Sequence, residues 1–165
     1  MTPTIRPLHA LTDRPAVTDL VARAADYVLL ETGLPPDDTF VDEIFHGLPP
    51  GVGPEAVIAL GLCRGPVLDG VASIAFGWPE PADAYLGLML LDPKARGQGL
   101  GPILLEASLD AARGRGATRM LLAVLDENPR ARTFWERMGF AHLLTVPPGP
   151  IGAKMHIRHR MGRMV

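Results

Sequence analysis

The 165 residues carry 16 Lys+Arg against 18 Asp+Glu, a net charge of -2, with 47% hydrophobic and 21% charged residues. That balance is that of an ordinary globular chain with material for one sizeable core, and it lacks the basic excess by which nucleic-acid-binding domains hold a phosphate backbone. The one cysteine, Cys63, excludes an internal disulfide, and no Cys or His stands beside it at zinc-ligand spacing, so no metal site is expected.

The N-terminal stretch 1–7 lacks the basic start and apolar run of a secretory signal, so a cytoplasmic location is expected. After a short opening strand, Thr12 or Asp13 can cap a helix with Pro15 in its first turn. Val17, Leu20, Val21, Ala24, Ala25 and Val28 then recur at helical spacing to about residue 30. Asp37 or Asp38 opens a second, shorter helix with Phe40, Val41, Ile44 and Phe45 on one side. Residues 56–62, 67–76 and 85–91 are short apolar runs bounded by turn residues and read as consecutive strands. None is long enough to cross a bilayer.

Helical period returns over 100–115, with Leu100, Leu104, Leu105, Leu109 and Ala112 on one stripe and Gly114 and Gly116 at its end. Residues 120–125 form a further buried strand, Asn128 caps a helix that Pro129 opens and Gly139 stops, and 140–146 and 153–159 read as a closing pair of strands. The Pro- and Gly-rich breaks, 147–150 among them, are a few residues long and read as loops within one domain, residues 1–165. Strands in a meander followed by strand-helix alternation predict a mixed α/β sheet, not a doubly wound parallel one.

The densest chemical signal follows the strand 86–91. Arg96-Gly97-Gln98-Gly99-Leu100-Gly101 places three glycines in six residues at the start of a helix. There the unpaired N–H groups and the positive end of the helix dipole favour an anion, most naturally a phosphate or diphosphate. A plain strand-to-helix connection needs glycines too. The dinucleotide fingerprint fails because Pro102 stands where its third glycine belongs, and a Walker phosphate loop fails for want of Gly-Lys-Ser/Thr.

The run from Leu91 to Gly101 resembles the acyl-CoA-binding signature of the GNAT acetyltransferase superfamily, in which Arg or Gln is followed by x-x-Gly-x-Gly or Ala. Leu121-Leu122-Ala123-Val124, Asn128-Pro129-Arg130-Ala131 and Phe134-Trp135-Glu136-Arg137-Met138-Gly139-Phe140 resemble the second half of that pattern in the same order. The resemblance implies an α/β fold with a mixed, mostly antiparallel sheet of six to seven strands. About four helices flank that sheet, and a splayed V separates its central strands. It implies acetyl-CoA as donor, a small-molecule or peptide amine as acceptor and a homodimer as a common arrangement; on charge and on the length of the apolar runs, no nucleic acid or membrane partner is expected.

Carried over residue by residue, the resemblance has Arg96, Gly97, Gln98, Gly99, Leu100 and Gly101 wrap the diphosphate, mainly through main-chain N–H groups, although Pro102 has none to give. Met89, Leu90 and Leu91 pair with the pantetheine arm like an added strand, Asn128 bonds that arm, and Phe134 packs beside it. Asn128 is equally a simple helix cap, and the two roles are compatible. The Tyr that commonly serves the thiolate in this family is replaced by Trp135, which reads as a core aromatic that also walls the pocket. An indole cannot act as a general acid near neutral pH.

By position, Asp83 and Tyr85 are the candidate catalytic residues; a solvated loop carboxylate and a core strand residue are their plain alternatives. Glu80 and Glu43 are weaker candidates. His46 and His142 are isolated, and the 156–160 stretch with His156, Arg158, His159 and Arg160 reads as a solvated strand surface. Asp37, Asp38, Asp42 and Glu43 make a cationic acceptor plausible, though a charged helix start explains them equally. The competing functional reading is a module that holds acyl-CoA without turning it over.

Overall fold

The apolar runs of the first half become β1 (Thr4–Pro7), β2 (Val57–Arg64), β3 (Val67–Phe76) and β4 (Asp83–Leu91), each antiparallel to its neighbour. The computed structural model, which describes residues 1–165, completes the sheet with β5 (Arg119–Leu125), β6 (Ala141–Ile151) and β7 (Lys154–Met164) in the order β1-β2-β3-β4-β5-β7-β6. Only β4 and β5 run parallel, so the sheet is mixed and mostly antiparallel, as expected.

Helices cover both faces. α1 (Arg14–Arg23), α2 (Ala25–Thr32) and α3 (Asp38–His46) pack on one face through Val17, Leu20, Val28, Val41 and Ile44. α4 (Leu100–Gly114) and α5 (Pro129–Arg137) pack on the other, where Leu104, Leu109, Met120, Leu122 and Met161 are fully enclosed. Emptying any one of these positions to alanine costs about 2–5 kcal/mol by lost burial and a residual cavity. β3 lies between the two layers, and all but its first residue is buried, which explains its unbroken apolar run. No helix is long and apolar enough to cross a membrane.

Two departures from the sequence expectation have physical causes. The helix expected over 13–30 breaks at Ala24 into α1 and α2, giving five α-helices. Arg23 ties the end of α1 to the sheet through Asp92 and the carbonyl of Leu68 (2.9 Å), while α2 runs on at a new angle beside the open part of the sheet. The closing strands also run longer than expected, and β6 takes in the proline-rich 147–150 that reads as a loop. Proline is tolerated there because β6 is an edge strand and its pairing with β7 is irregular between Val146 and Gly149.

One local feature opens the sheet. The register of β3 against β4 passes from Ser73↔Leu88 to Ile74↔Leu86, leaving Gly87 as the extra residue of a bulge. β4 pairs with β5 only from Asp83↔Arg119 to Tyr85↔Leu121. Beyond that the two strands part, and the main chain of residues 86–91 faces a cleft.

Candidate active site

The floor of the cleft is built at its far end by the glycine turn. Asp92 closes β4 into a short 3-10 turn, Pro93–Ala95, by accepting the Lys94 N–H at 2.8 Å, with Arg23 on its other oxygen. Burial would raise the Asp92 carboxyl, but the Lys94 N–H and the Arg23 guanidinium hold it below the usual carboxylate range. The chain then turns through Gly97 (φ 74°) and Gly99 (φ 75°), left-handed conformations that glycine takes without strain. Gly99 is the N-cap of α4, and no side chain caps that end. The amides of Gly97, Gln98 and Gly99 donate to no backbone carbonyl, so they and the first turn of α4 are free for an external acceptor.

A cavity of about 840 Å³ runs from this turn up the parted strands. Its walls include Met89, Leu90, Leu91, Arg96, Gly97, Gly99, Gly101, Asn128 and Phe134, bringing together most of the cofactor residues expected from the sequence. Gly101 has a packing reason to be glycine, since an added Cβ would lie 3.2 Å from the Phe134 ring. Asn128 is the cap of α5, its Oδ1 accepting the Ala131 N–H at 3.2 Å. Its amide nitrogen makes no protein hydrogen bond and stays available to the cavity. Trp135 is buried edge-on between Phe134 and Phe140 (centroids 4.9 and 5.3 Å) and also walls the cavity.

Three of the expected cofactor residues engage their side chains within the protein. The side chain of Leu100 is 6% exposed in the core, fastening α4 to the sheet. The Gln98 carboxamide turns away from the cavity to accept from Arg64 at 2.8 Å, leaving only its main chain at the turn. Arg96 faces the cavity, but its guanidinium grips Asp26 of α2 at 2.6 and 3.1 Å and its Nε donates to the Leu91 carbonyl at 3.2 Å. Arg96 in turn holds the Asp26 carboxyl below its usual range.

A second cavity, of about 650 Å³, lies on the other side of β4 beneath α2, α3 and the β6–β7 turn. The two cavities share Gly87 and Leu88, at and beside the bulge. Helix α2 spans the same junction: Tyr27 lines the first cavity, Glu31 the second, and the Tyr27 hydroxyl donates to Glu31 Oε1 at 3.4 Å. Burial raises the Glu31 carboxyl above its usual range, more than the Tyr27 hydroxyl lowers it. Burial and the Glu31 charge raise Tyr27, which therefore stays protonated. Neither residue stood out in the sequence. The signal that could have found them is the i,i+4 spacing of Tyr and Glu near the end of the second of two helices that meet at Ala24.

Of the expected catalytic residues, Tyr85 lines the second cavity, edge-on to Trp78 at 4.8 Å, and burial raises its hydroxyl against the pull of Arg160 and Arg158. Asp83 does not fit a base. Its buried carboxylate accepts from Nε and Nη2 of Arg119 at 2.9 and 2.8 Å and from the Glu80 N–H at 3.2 Å, and it lines neither cavity. Arg119 first, and the Glu80 N–H after it, hold Asp83 below its ordinary range, the opposite of what a base needs. Of the acidic residues at the cap and on the body of α3, Asp38 and Asp42 pair with Arg14, while the cap residue Asp37 and Glu43 line the second cavity. His156, expected on a solvated surface, is 1% exposed because β7 is an inner strand; one ring nitrogen meets the Glu31 carbonyl at 2.7 Å.

Comparison with known proteins agrees with this geometry. Residues 34–140 match the model of the acetyltransferase (GNAT) family. A 70-residue part of the chain is 40% identical to a mycothiol acetyltransferase of Beutenbergia cavernae, covering 42% of this chain and 24% of that protein. A 56-residue part is 38% identical to N-alpha-acetyltransferase 30 of Schizosaccharomyces pombe, covering 34% of this chain and 37% of that one. The chain thus matches well under half the length of these relatives. An acetyltransferase from Thermus thermophilus superposes over 100% of this chain and 98% of its own with a TM-score of 0.81 at 24% identity, a likeness of fold.

Proposed function

The chain belongs to the acetyltransferase (GNAT) family, and we propose that residues 1–165 form one N-acetyltransferase domain that moves an acetyl group directly from acetyl-CoA to a primary amine of a small molecule or peptide. The observation that carries this reading is the meeting of two cavities at Gly87 and Leu88, with Tyr27 and Glu31 reaching one into each. Direct transfer needs two ligands to meet at one point, and the residues shared by the two cavities offer such a point.

The residues of the first cavity fit acetyl-CoA. Free amides at Gly97, Gln98 and Gly99 suit its diphosphate, and the β4 edge that parts from β5 beyond Tyr85 suits the amide-bearing pantetheine arm. When bound, acetyl-CoA supplies an acyl carbon already activated as a thioester. The chain supplies position and proton movement. Leaving the β4 main chain open at the bulge offers N–H groups to a carbonyl oxygen that gains negative charge during transfer.

Glu31 acts as the base in this account. Its raised affinity for protons makes it better able than an ordinary carboxylate to take one from an attacking amine. Burial makes the Tyr27 hydroxyl a weak acid in its own right, so on the thiolate side it serves as a relay that hands the proton taken up by Glu31 on to the sulfur, a part that Trp135 cannot play. The balance closes: the amine N–H proton goes to Glu31, the Tyr27 O–H proton goes to the departing sulfur, and their mutual hydrogen bond returns a proton from Glu31 to Tyr27.

The test is release of free CoA from acetyl-CoA in the presence of a panel of amines, polyamines and peptides. Release above the amine-free blank is expected. Tight binding of acetyl-CoA without release for any acceptor would favour a holding module over an enzyme.

A further inference from the structure

Most arginines of this protein, Arg23, Arg64, Arg96 and Arg119 among them, rest on a carboxylate. Arg158 and Arg160 do not. They stand two apart on β7, so they share the face that carries His156 and the second cavity. No Asp or Glu lies within ion-pair distance of either, and the Nε of each is buried without a hydrogen-bond partner. Arg160 lies over the rings of Trp78 (5.3 Å) and Tyr85 (5.9 Å). Arg158 lines the cavity itself, with Trp78, Tyr85 and, on the α2 side, Glu31.

A guanidinium kept partly out of water with an unsatisfied N–H is costly unless something answers it. Trp78 and Tyr85 offer Arg160 a π face. Nothing within the protein answers Arg158. A guanidinium presents its donors as a planar fork that matches the two oxygens of a carboxylate or of a phosphoryl group, and it does so best at a desolvated site. Glu31 offers the same cavity the opposite preference, for a cationic or proton-bearing nitrogen. The cavity therefore carries two complementary poles rather than the single negative one that the acidic α3 suggests.

We propose that the acceptor is amphoteric: a primary amine that also bears an oxyanion, carboxylate or phosphonyl/phosphoryl, with Arg158 binding the oxyanion while the amine lies toward Glu31 and the Gly87–Leu88 junction. This inference rests on the second cavity being the acceptor side, and it narrows the acceptor class left open above. Arg160, held over Trp78 and Tyr85 behind Arg158, adds positive potential without touching the ligand.

The experiment compares acetyl transfer to β-alanine, 2-aminoethylphosphonate and propylamine in the wild-type chain, Arg158→Gln and Arg158→Lys. Either oxyanion-bearing amine is expected to exceed propylamine in kcat/KM by at least tenfold, and the better of the two identifies the oxyanion class. In Arg158→Gln that ratio collapses toward one, chiefly through KM; Arg158→Lys keeps part of it. Equal rates for all three amines in the wild type, or an undiminished ratio in Arg158→Gln, would overturn the proposal.

A second readout does not depend on turnover. The side-chain Nε–H resonance of Arg158 is expected to move on adding 2-aminoethylphosphonate or β-alanine and to stay in place with propylamine; no movement with either oxyanion would count against the site. Calorimetry with acetyl-CoA on the same sample separates the two levels. Binding of acetyl-CoA without any oxyanion preference removes this inference and leaves the acetyltransferase reading intact. Failure to bind acetyl-CoA removes that reading, and the Arg158 resonance still decides whether an oxyanion site exists.

Discussion

The hydroxyl of Tyr27 lies 3.4 Å from Oε1 of Glu31 one helical turn away, and the two side chains line different cavities. Helical spacing places both on one face, and the two cavities they line share the bulge residue Gly87 and its neighbour Leu88. A single helix thus links the two cavities through one hydrogen-bonded pair of ionisable side chains.

That arrangement sets the first prediction. Glu31→Gln lowers kcat/KM for acetyl transfer by about 10²–10⁴-fold, and Tyr27→Phe lowers kcat with little change in acceptor KM. Because burial raises Glu31 in the folded chain, its ionised form, the base, accumulates only above the ordinary Glu value of 4.5. The acid limb of the wild-type pH–rate profile therefore lies above 4.5, and Glu31→Gln removes it. The same shift fixes a stability sign. A carboxyl that holds its proton more tightly when folded loses stability as pH rises past 4.5, so Glu31→Gln should unfold no earlier than the wild type at neutral pH. A lower melting temperature there would assign Glu31 a structural role instead.

Gly99→Ala tests the turn. A Cβ at that position meets no protein atom within 4 Å, so its cost to the fold is the left-handed φ of 75°, about 1–2 kcal/mol. Calorimetry should show CoA affinity falling at least tenfold, more than the loss of stability explains. Unchanged affinity in a folded Gly99→Ala protein would remove the turn from the binding site.

Asp26→Asn tests the grip on Arg96. The Asp26 carboxylate faces the same cavity as the glycine turn and occupies the Arg96 guanidinium. Neutralising it takes a negative charge away from the diphosphate path and frees Arg96, so CoA binding should strengthen by roughly two- to tenfold at low salt, with the gain shrinking as salt rises. Weaker binding would show instead that Asp26 serves by holding Arg96 in place.

Asp83→Asn distinguishes structure from chemistry at the residue the sequence singled out. Arg119 loses its bidentate partner, which costs about 1–2 kcal/mol after allowance for the water that reaches Arg119. Folded Asp83→Asn protein should keep its kcat. Since Asp83 is held below 3.8, the stabilisation is present at neutral pH and is lost as pH falls below that value, so the variant and wild type should converge in stability in strong acid. A kcat loss of a hundredfold or more would return Asp83 to the catalytic machinery.

The strand runs, the glycine turn and the Asn128 cap were legible because each is written in local chemistry: apolar runs of strand length, positive-φ glycines at a helix start, a capping side chain before proline. The acceptor side was not. Glu31 and Arg158 are 127 positions apart and meet only because β7 inserts between β5 and β6, which no local pattern encodes. Reading 156–160 as a surface failed for the same reason, since a strand with charged residues on one face looks solvated until an inner position and a cavity are known. Asp83 misled because its place at the start of β4 suits a base, while Arg119, brought opposite by the parallel pairing of β4 with β5, consumes it.

The most direct measurement follows the backbone amide resonances of Gly97, Gln98 and Gly99 while CoA is added, with pantetheine as the partner titration. These amides have no acceptor within the chain, so CoA should move all three, whereas pantetheine, which has no diphosphate, should leave them in place and shift only residues along β4. Resonances of the turn that ignore CoA, or that respond equally to pantetheine, would contradict a diphosphate held at the start of α4.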